Sequence, residues 1–317
     1  LSLCLIMNKY MFVFGRNPIL SYAELISYFN NLNIKYKIKC FRDNILVVSL
    51  DRSSVNIDDL GGTVKIAEVI MEDKIKEYDF YLGNKNKITY GISSYGKNIL
   101  ATKLESYLKN WFKEQRLKAI RKKPTSLFLH PRELKNVLEF VVFEKYIGKT
   151  IAISSTSEYK KRDKERPHND FLRSISIRLA KILINLSGAT KGKKLLDPFC
   201  GLGIILEEAL IKGIECCGVE IDDNIAKSAN ENLNYLKNKI NSKVKFKIIN
   251  GNSKKINNYF NEDFIDCVVT EPYLGPFFKK YPNREEAIKI TKELNTLYDT
   301  FFISLHKILK KNSKVAI

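Results

Sequence analysis

The amino-acid sequence predicts an α/β protein in which an irregular α+β region precedes a region of regularly alternating strands and helices. The alternation starts at Lys194, where short apolar runs and segments of helical periodicity follow each other in turn. Such alternation is typical of a parallel sheet wound by right-handed crossovers. Before residue 160 the predicted elements follow no such order. At roughly 100–200 residues per domain, the 317 residues provide about two domains.

The chain carries a large excess of positive charge. Its 54 Lys and Arg residues outnumber its 35 Asp and Glu residues, which gives a formal net charge of +19. Lysine and arginine placed against phosphates release counterions, so this excess favours a nucleic-acid partner. The alternative explanation is base composition, because AT-rich coding also produces a chain rich in Lys, Asn and Ile.

Several protein classes are disfavoured. The hydrophobic content of 44% argues against a disordered chain. No stretch approaches the ~18 uninterrupted apolar residues of a membrane span, and the apolar start Leu1–Met7 is short and lacks a basic leader. The six cysteines form no CxxC pair and the three histidines are scattered. We therefore expect no membrane segment, no metal site and a cytoplasmic protein in a reducing environment.

The first predicted elements form a strand–helix–strand–strand–helix pattern. Tyr10–Phe14 is a short β-like run, and Leu25, Ile26 and Phe29 recur at helical spacing within Ser21–Phe29. Two strands around a turn and a second short helix follow, over Tyr36–Cys40, Ile45–Leu50 and Gly61–Ile70.

A second α+β group follows, with a dense basic cluster at its centre. Ile88–Ile92 is strand-like, and a long amphipathic helix is predicted over Lys103–Arg121. Three further strands are predicted over Ser126–Leu129, Glu139–Glu144 and Thr150–Ser154. A basic surface suits an RNA backbone, although cations at a helix C-terminus are also favoured by the helix dipole. The candidate RNA-binding residues are Lys113, Arg116, Lys118, Arg121, Lys122 and Lys123.

The segment Tyr159–Pro167 is charged, lacks apolar periodicity and ends in proline, so we predict a linker there. A helix follows over Ile175–Leu186 and stops at Gly188. From Lys194 the predicted elements are a strand at 195–196, a helix at 204–211, a strand at 216–221, a helix at 224–237, and strands at 244–249 and 265–270.

A glycine loop follows the first strand of this α/β region. Asp197 stands directly before the loop, which contains Gly201 and Gly203. A dinucleotide-binding loop has a third glycine where this chain has Leu206, and an acidic residue before the loop would repel phosphate. The same carboxylate would attract an ammonium group. S-Adenosylmethionine carries an ammonium and a sulfonium and no phosphate, so we predict it as the cofactor.

Polar residues also end the next two strands. Glu220 is long enough to accept hydrogen bonds from both ribose hydroxyls, and Asn252 could bind the adenine amino group. Each signal alone is weak, since Glu220 could equally cap a helix. The combination is a far more specific sign of a cofactor site than any one of these signals. It consists of an acid, a glycine loop, a second acid and a polar residue at successive strand ends, and ligands of such sheets lie beyond the carboxyl ends of the strands.

The fourth strand ends in Glu271-Pro272-Tyr273. Methylation of an exocyclic amine needs an acceptor for the amine hydrogens and a platform that stacks the base. Glu271 and the carbonyl of Pro272 could be the acceptors, and Tyr273 the platform. The alternative is a turn with a solvated glutamate.

The motifs DPFCGLG, GVEID and TEPYLGP, in this order and spacing, resemble those of class I methyltransferases that modify amino nitrogens. RPHNDFLRSISIRLAKILINLSG, just before them, resembles the corresponding segment of the archaeal/eukaryotic-type tRNA guanosine-10 N2-methyltransferases. That resemblance implies a Rossmann-like catalytic domain preceded by a THUMP domain, an RNA-binding module that grips tRNA. Matched by position, the resemblance implies that cofactor binding uses Asp197, Phe199, Gly201, Gly203, Glu220, Ile221 and Asn252.

The resemblance also implies a domain plan. We expect an extension over 1–8, an α+β domain over 9–75, a THUMP-like domain over 76–158, a linker and leading helix over 159–190, and the methyltransferase domain over 191–317. Two residues depart from the family pattern, since Glu271 and Asn252 stand where Asp is usual. The chain also stops at Lys314–Ile317, inside the predicted fifth strand, so we expect the catalytic domain to be C-terminally incomplete.

The resulting hypothesis is methyl transfer from S-adenosylmethionine to an exocyclic amine of a tRNA base, at N2 of guanosine 10. A DNA adenine-N6 or cytosine-N4 methyltransferase and a non-catalytic RNA-binding relative are the alternatives. The sequence leaves open whether a helper subunit takes part.

Overall fold

The computed structural model describes residues 7–51, 55–96, 99–124, 126–170, 174–278 and 280–317. These residues form two compact units. The first reaches Ser157, except that Ile26–Asn31 group with the second, which continues from Glu158 to Ile317.

The first unit is built on one eight-stranded sheet with the order β2-β3-β1-β4-β8-β7-β5-β6. Most neighbours are antiparallel, and β5 pairs in parallel with β6 and β7. Its elements are β1 (Asn8–Phe14), α1 (Pro18–Asn31), β2 (Tyr36–Arg42), β3 (Ile45–Leu50), β4 (Thr63–Glu72), β5 (Lys87–Tyr95), α2 (Ile99–Glu114), β6 (Lys118–Arg121), β7 (Leu138–Phe143) and β8 (Tyr146–Ile153).

The sheet of the first unit contains a buried ion pair. Lys65 on β4 and Glu139 on β7 are each 1% exposed, and the lysine Nζ lies 2.5 Å from Oε1 of the glutamate. Lys65 also donates to the Leu129 carbonyl, while Glu139 accepts from the hydroxyls of Ser93 and Thr150. Every charge of the pair therefore has hydrogen-bond partners, as burial requires.

Three predicted elements of the first unit are wrong. Gly61–Ile70, predicted as a helix, is largely strand β4, which pairs with β1 on one side and β8 on the other. The predicted helix to Arg121 ends at Glu114, and β6 follows it. Ser126–Leu129 is not a strand; this segment meets β5 through the Ser94 amide on the Leu127 carbonyl, at 2.8 Å, and lacks a ladder. Tertiary pairing outweighs local propensity in these cases.

The second unit carries a five-stranded, wholly parallel sheet with the order β11-β10-β9-β12-β13. This confirms the predicted α/β fold of the C-terminal half. Its elements are α3 (Thr156–Glu165), α4 (Ile177–Leu186), β9 (Lys194–Asp197), α5 (Ile204–Ile211), β10 (Glu215–Glu220), α6 (Asp223–Lys239), β11 (Phe246–Asn250), β12 (Ile265–Val269), α7 (Arg284–His306) and β13 (Leu309–Ala316).

The predicted linker over Tyr159–Pro167 is instead mostly helix α3. Two charged residues of this segment pair with acids on α5: Arg162 bonds to Glu208 and Arg166 bonds to Glu207. Arg166 and both glutamates are buried. The Tyr159 ring packs beneath these charges. The linker prediction was wrong because it assumed that the charged residues of this segment face solvent.

Among the helices of the described ranges, none combines the length and apolar character required to cross a membrane.

Candidate active site at the carboxyl edge of the parallel sheet

The structure places Asp197 at the end of the central strand β9, almost completely buried. Its Oδ1 accepts a hydrogen bond from the Thr270 hydroxyl at 2.7 Å and one from the Phe199 amide at 3.2 Å. The pKa of Asp197 is raised from its usual 3.8 to about 7, mainly by burial. The negative charges of Glu220 and Glu271 also raise the pKa, and the two hydrogen-bond donors partly offset the rise. Three predicted site carboxylates therefore lie within electrostatic range of each other.

The glycine loop begins where β9 ends. Gly201 and Gly203 both have positive φ, +49° and +87°, and Gly203 caps helix α5. A Cβ at Gly203 would come within 3.1 Å of a Leu233 methyl on α6, and the φ of +87° disfavours any other residue there. A Cβ at Gly201 would meet nothing within 4 Å. The backbone at Gly201 is therefore open to approach by a ligand.

Glu220 at the end of β10 is tied to this loop. Its Oε2 accepts from the Gly201 amide and its Oε1 from the Asp222 amide, each at 3.0 Å. Asp222, not Glu220, caps helix α6 by accepting from the amides of residues 224 and 225. The helix-cap explanation of Glu220 is therefore wrong. Ile221 follows with 69% of its surface exposed.

The end of β11 contributes two asparagines. Asn252, the predicted adenine contact, accepts the Lys254 amide on Oδ1 at 2.9 Å and donates its backbone amide to the Tyr259 hydroxyl at 3.0 Å. Asn250, which the sequence analysis did not single out, donates to the carbonyls of Glu220 and Ile221. The turn after β10 is thus held by β11.

The predicted acceptor segment follows β12. Glu271 is exposed, Pro272 is partly buried, and Tyr273 has 53% of its surface exposed. Helix α7 holds this segment in place, because the Tyr298 hydroxyl donates to the Tyr273 carbonyl at 2.6 Å. The arrangement leaves a carboxylate and an aromatic ring accessible at the same sheet edge as Asp197 and Glu220.

Two features of this region were missed from sequence. The Thr270 hydroxyl donates to Asp197; the sequence shows that Thr270 ends an apolar strand, but only the structure shows that it lies opposite Asp197. Shortly after Tyr273, further exposed aromatic side chains follow, and their clustering after the acceptor motif is visible in the sequence: Phe277, Phe278 and Tyr281.

The predicted RNA-binding cluster lies in the first unit, and the structure divides it. Arg121 pairs with Glu105, and Lys122 donates to the Glu133 carbonyl at 2.6 Å, so both side chains are partly buried and engaged. The other four are exposed: Lys113, Arg116, Lys118 and Lys123. Only Lys113 belongs to helix α2, whereas Lys118 and Arg121 belong to strand β6.

Within the ranges that the structure describes, no three His, Cys, Asp or Glu residues are grouped so as to hold a metal ion.

Comparison with known proteins identifies the second unit. Residues 169–317 match the family UPF0020, described as an RMKL-like methyltransferase domain. A tRNA (guanine(10)-N2)-dimethyltransferase from Methanothermobacter thermautotrophicus is 28% identical over 155 residues, which cover 48% of this chain and 41% of the relative. A probable tRNA (guanine(10)-N2)-dimethyltransferase from Methanothermococcus thermolithotrophicus is 36% identical over 110 residues, which cover 34% of this chain and 67% of the relative.

A solved structure resembles the chain over nearly its whole length. TrmN from Thermus thermophilus aligns with a TM-score of 0.55 and 15% identity, over 98% of this chain and 87% of that one. At this identity the likeness concerns the fold alone. The matches to two further curated relatives, like the first, span less than half of each relative's length.

Proposed function

We propose, from the premise that this chain belongs to the family of the tRNA (guanine(10)-N2)-dimethyltransferases, that it methylates an exocyclic amine of a tRNA base, at N2 of guanosine 10. The observation that carries the proposal is the convergence of Asp197, Glu220 and Glu271 at the carboxyl ends of three neighbouring strands. The glycine loop and an exposed aromatic ring lie at the same edge.

The residues at this edge fit S-adenosylmethionine. When bound, S-adenosylmethionine supplies a methyl group on a sulfonium centre that is already a good leaving group. Asp197 is a buried carboxylate that forms no ion pair with a described Lys or Arg residue, and the charges of Glu220 and Glu271, which act on it, are both negative. A cationic ammonium would supply the missing counter-charge. The open space at Gly201 lets the ligand approach the backbone.

The neighbouring strand ends would hold the nucleoside part. Glu220 keeps acceptor capacity on both carboxylate oxygens, since each accepts one backbone amide and has a second lone pair. It can therefore bind two hydroxyls while it stays tied to the loop. Exposed Ile221 offers an apolar face to a base, and Asn252 Oδ1, which accepts the Lys254 amide, has a second lone pair that can accept from the adenine amino group.

Glu271 would orient the target amine and take up its proton. It is exposed, and it follows the strand that ends beside Asp197. With the carbonyl of Pro272, it can accept both amine hydrogens, which directs the nitrogen lone pair toward the methyl group. Tyr273 would stack the base once the base leaves its helix. Positioning of these groups supplies most of the rate acceleration.

The first unit would bind the tRNA. Its region 76–158 is the THUMP-like part of the proposal, and the exposed Lys113, Arg116, Lys118 and Lys123 would contact phosphates. The net charge of +19 supports a polyanionic substrate. We place the reaction in the cytoplasm.

The first experiment is transfer of radiolabel from methyl-labelled S-adenosylmethionine into unmodified tRNA, with duplex DNA in parallel. Nucleoside digestion then identifies the labelled base. We expect label in tRNA as N2-methylated guanosine. Label in DNA alone would overturn the substrate, and cofactor binding without transfer to either would favour a non-catalytic binder.

Glu271 provides the sharpest variant. The Glu271→Gln change should lower kcat about 10²- to 10⁴-fold, the range of general acid–base catalysis, with cofactor affinity unchanged. Glu262→Gln is the matched control, because Glu262 is also exposed and lies just before the same strand. Full turnover by Glu271→Gln would exclude Glu271 as the group that takes up the amine proton.

A further inference from the structure

Asn232, in the middle of helix α6, is an asparagine with no exposed surface. Its Nδ2 donates to the Leu202 carbonyl at 3.0 Å and to the His168 carbonyl at 3.1 Å. Its Oδ1 accepts from the His168 amide at 2.9 Å. Both donor hydrogens of the side-chain amide are therefore used, and all three bonds go to backbone atoms.

The two backbone segments joined by Asn232 are distant in sequence and different in character. Leu202 lies between Gly201 and Gly203 in the glycine loop, where two positive-φ residues give the backbone unusual freedom. His168 belongs to the stretch Arg166–Asn169, which is itself held firmly. The Arg166 guanidinium donates to both carboxylate oxygens of buried Glu207 on α5.

The glycine loop is therefore held from two sides. Glu220 accepts the Gly201 amide on the side of β10, and Asn232 donates to the Leu202 carbonyl on the side of α6. Glu220 is a proposed ligand contact, so its bond to the loop must be shared with the ligand. Asn232 has no exposed surface and cannot touch the ligand.

We propose that Asn232 is a positioning residue that fixes the cofactor loop against the segment around His168, through one buried side-chain amide. The inference rests on the proposed cofactor, and not on the identity of the methylated base. An apolar or acidic side chain would leave the Leu202 carbonyl without its donor, and the loop would lose the geometry in which Gly201 approaches the ligand.

The test compares Asn232→Asp with Asn234→Asp. The substituted carboxylate keeps the shape of the asparagine and the acceptor for the His168 amide, but it lacks the two donors. Asn234 lies on the same helix and is exposed, so its variant matches the change in charge and helix propensity. We expect S-adenosylmethionine binding, measured by calorimetry, to weaken 10- to 100-fold in Asn232→Asp and less than twofold in the control.

The kinetic readout separates positioning from general damage. KM for S-adenosylmethionine should rise by the same factor as Kd, while kcat at saturating cofactor stays within about threefold of wild type. A variant that loses thermal stability but binds the cofactor with wild-type affinity would overturn the proposal. So would an equal effect in Asn234→Asp.

A measurement on the wild-type protein covers the case in which Asn232→Asp does not fold. Hydrogen exchange is followed in peptides that contain residues 200–203 and 166–170, with and without S-adenosylmethionine. We expect binding to slow exchange in both segments, because the same amide holds them. Protection of the loop without protection around His168 would refute the coupling.

The two proposals fail differently. If wild-type protein binds the cofactor but transfers no methyl group to tRNA, the proposed function fails and the role of Asn232 is still tested by Kd. If transfer to tRNA occurs and Asn232→Asp binds the cofactor normally, only the positioning role fails.

Discussion

Glu139 in the first unit and Asp197 in the second are both 1% exposed, yet their surroundings differ completely. Glu139 has a lysine 2.5 Å away and accepts from two hydroxyls. Asp197 has a hydroxyl and an amide on a single oxygen, and its electrostatic neighbours among the described residues are further acids. A buried charge whose counter-ion and hydrogen-bond partners are all supplied by the protein indicates a structural role. A buried charge that lacks its counter-ion indicates a ligand, since the protein alone does not offset the cost of burial.

The largest expected effect comes from removing the counter-ion of Glu139. Lys65→Met should destabilise the first unit by about 3–5 kcal/mol, because it leaves a buried carboxylate uncompensated. Urea denaturation measures the change. The double variant Lys65→Met/Glu139→Leu should recover most of the loss. Lys145→Met, which breaks only partly exposed pairs with Glu72 and Asp73, should cost less than about 1 kcal/mol. If Lys65→Met lowered the free energy of unfolding as little as Lys145→Met does, Glu139 would not depend on Lys65 for its counter-charge.

The next effect tests the charge that Asp197 keeps for a ligand. Asp197→Asn should weaken S-adenosylmethionine binding about 10- to 100-fold, since a charge-assisted contact becomes a neutral one. Asp299→Asn, on the exposed face of α7, is the control. Calorimetry of the two variants decides the matter. Unchanged affinity in Asp197→Asn would remove this residue from the cofactor site.

The same substitution should stabilise the cofactor-free protein. The folded pKa of Asp197, about 7, lies above its usual 3.8, so its stabilising contribution is complete below about pH 4 and is lost as pH rises through 7. At pH 8 the Asn variant should therefore be more stable than wild type by up to about 4 kcal/mol, because each unit of pKa shift corresponds to about 1.4 kcal/mol, and the gap should narrow toward pH 5 and close below about pH 4. Thermal unfolding at both pH values measures this. A variant that is less stable than wild type at pH 8 would show that the ionised carboxylate is already compensated.

The smallest effect concerns the hydroxyl that holds Asp197. Thr270→Val removes the 2.7 Å hydrogen bond, and one such bond contributes about 0.5–1.5 kcal/mol, so cofactor affinity should fall roughly threefold to tenfold. Thr296→Val, on helix α7, is the matched control, because its hydroxyl donates only to a carbonyl of its own helix. Equal cofactor affinities of Thr270→Val and the wild-type protein would mean that the Phe199 amide alone is enough to orient the Asp197 carboxylate.

The second unit was far more predictable from sequence than the first. Its strands are short apolar runs separated by helices of clear periodicity, and α5 was predicted with its observed bounds, Ile204–Ile211. The proposed site residues follow strand ends, where the topology brings them together. Thr270 and Asn232 were not predicted, because their proposed roles depend on partners that are distant in sequence. The partner of Thr270 is the Asp197 carboxylate, and those of Asn232 are backbone groups of Leu202 and His168.

The errors in the first unit and at the start of the second have a common cause. Strand β4 lies between two partners and is partly buried on both faces, so its apolar residues do not alternate as those of a half-exposed strand do. Helix α3 was predicted as a linker because the partners of its charged residues were not visible in the local sequence: Arg162 in the helix and Arg166 just after it pair with acids on α5, more than 40 residues away. Long-range partners decided both elements.

The pairing of β4 with β8 has a consequence for synthesis of the chain. In the ladder between β4 and β8, Lys65 lies opposite Ile153. Lys65 therefore leaves the ribosome 88 residues before the residue it faces on β8. At about 5–20 residues per second, the wait is roughly 4–18 s. During that time the strand that will hold Lys65 has an open edge and an unpaired cation. An unpaired strand edge is prone to misassembly, and the arrival of Tyr146–Ile153 completes the sheet and closes that edge of β4.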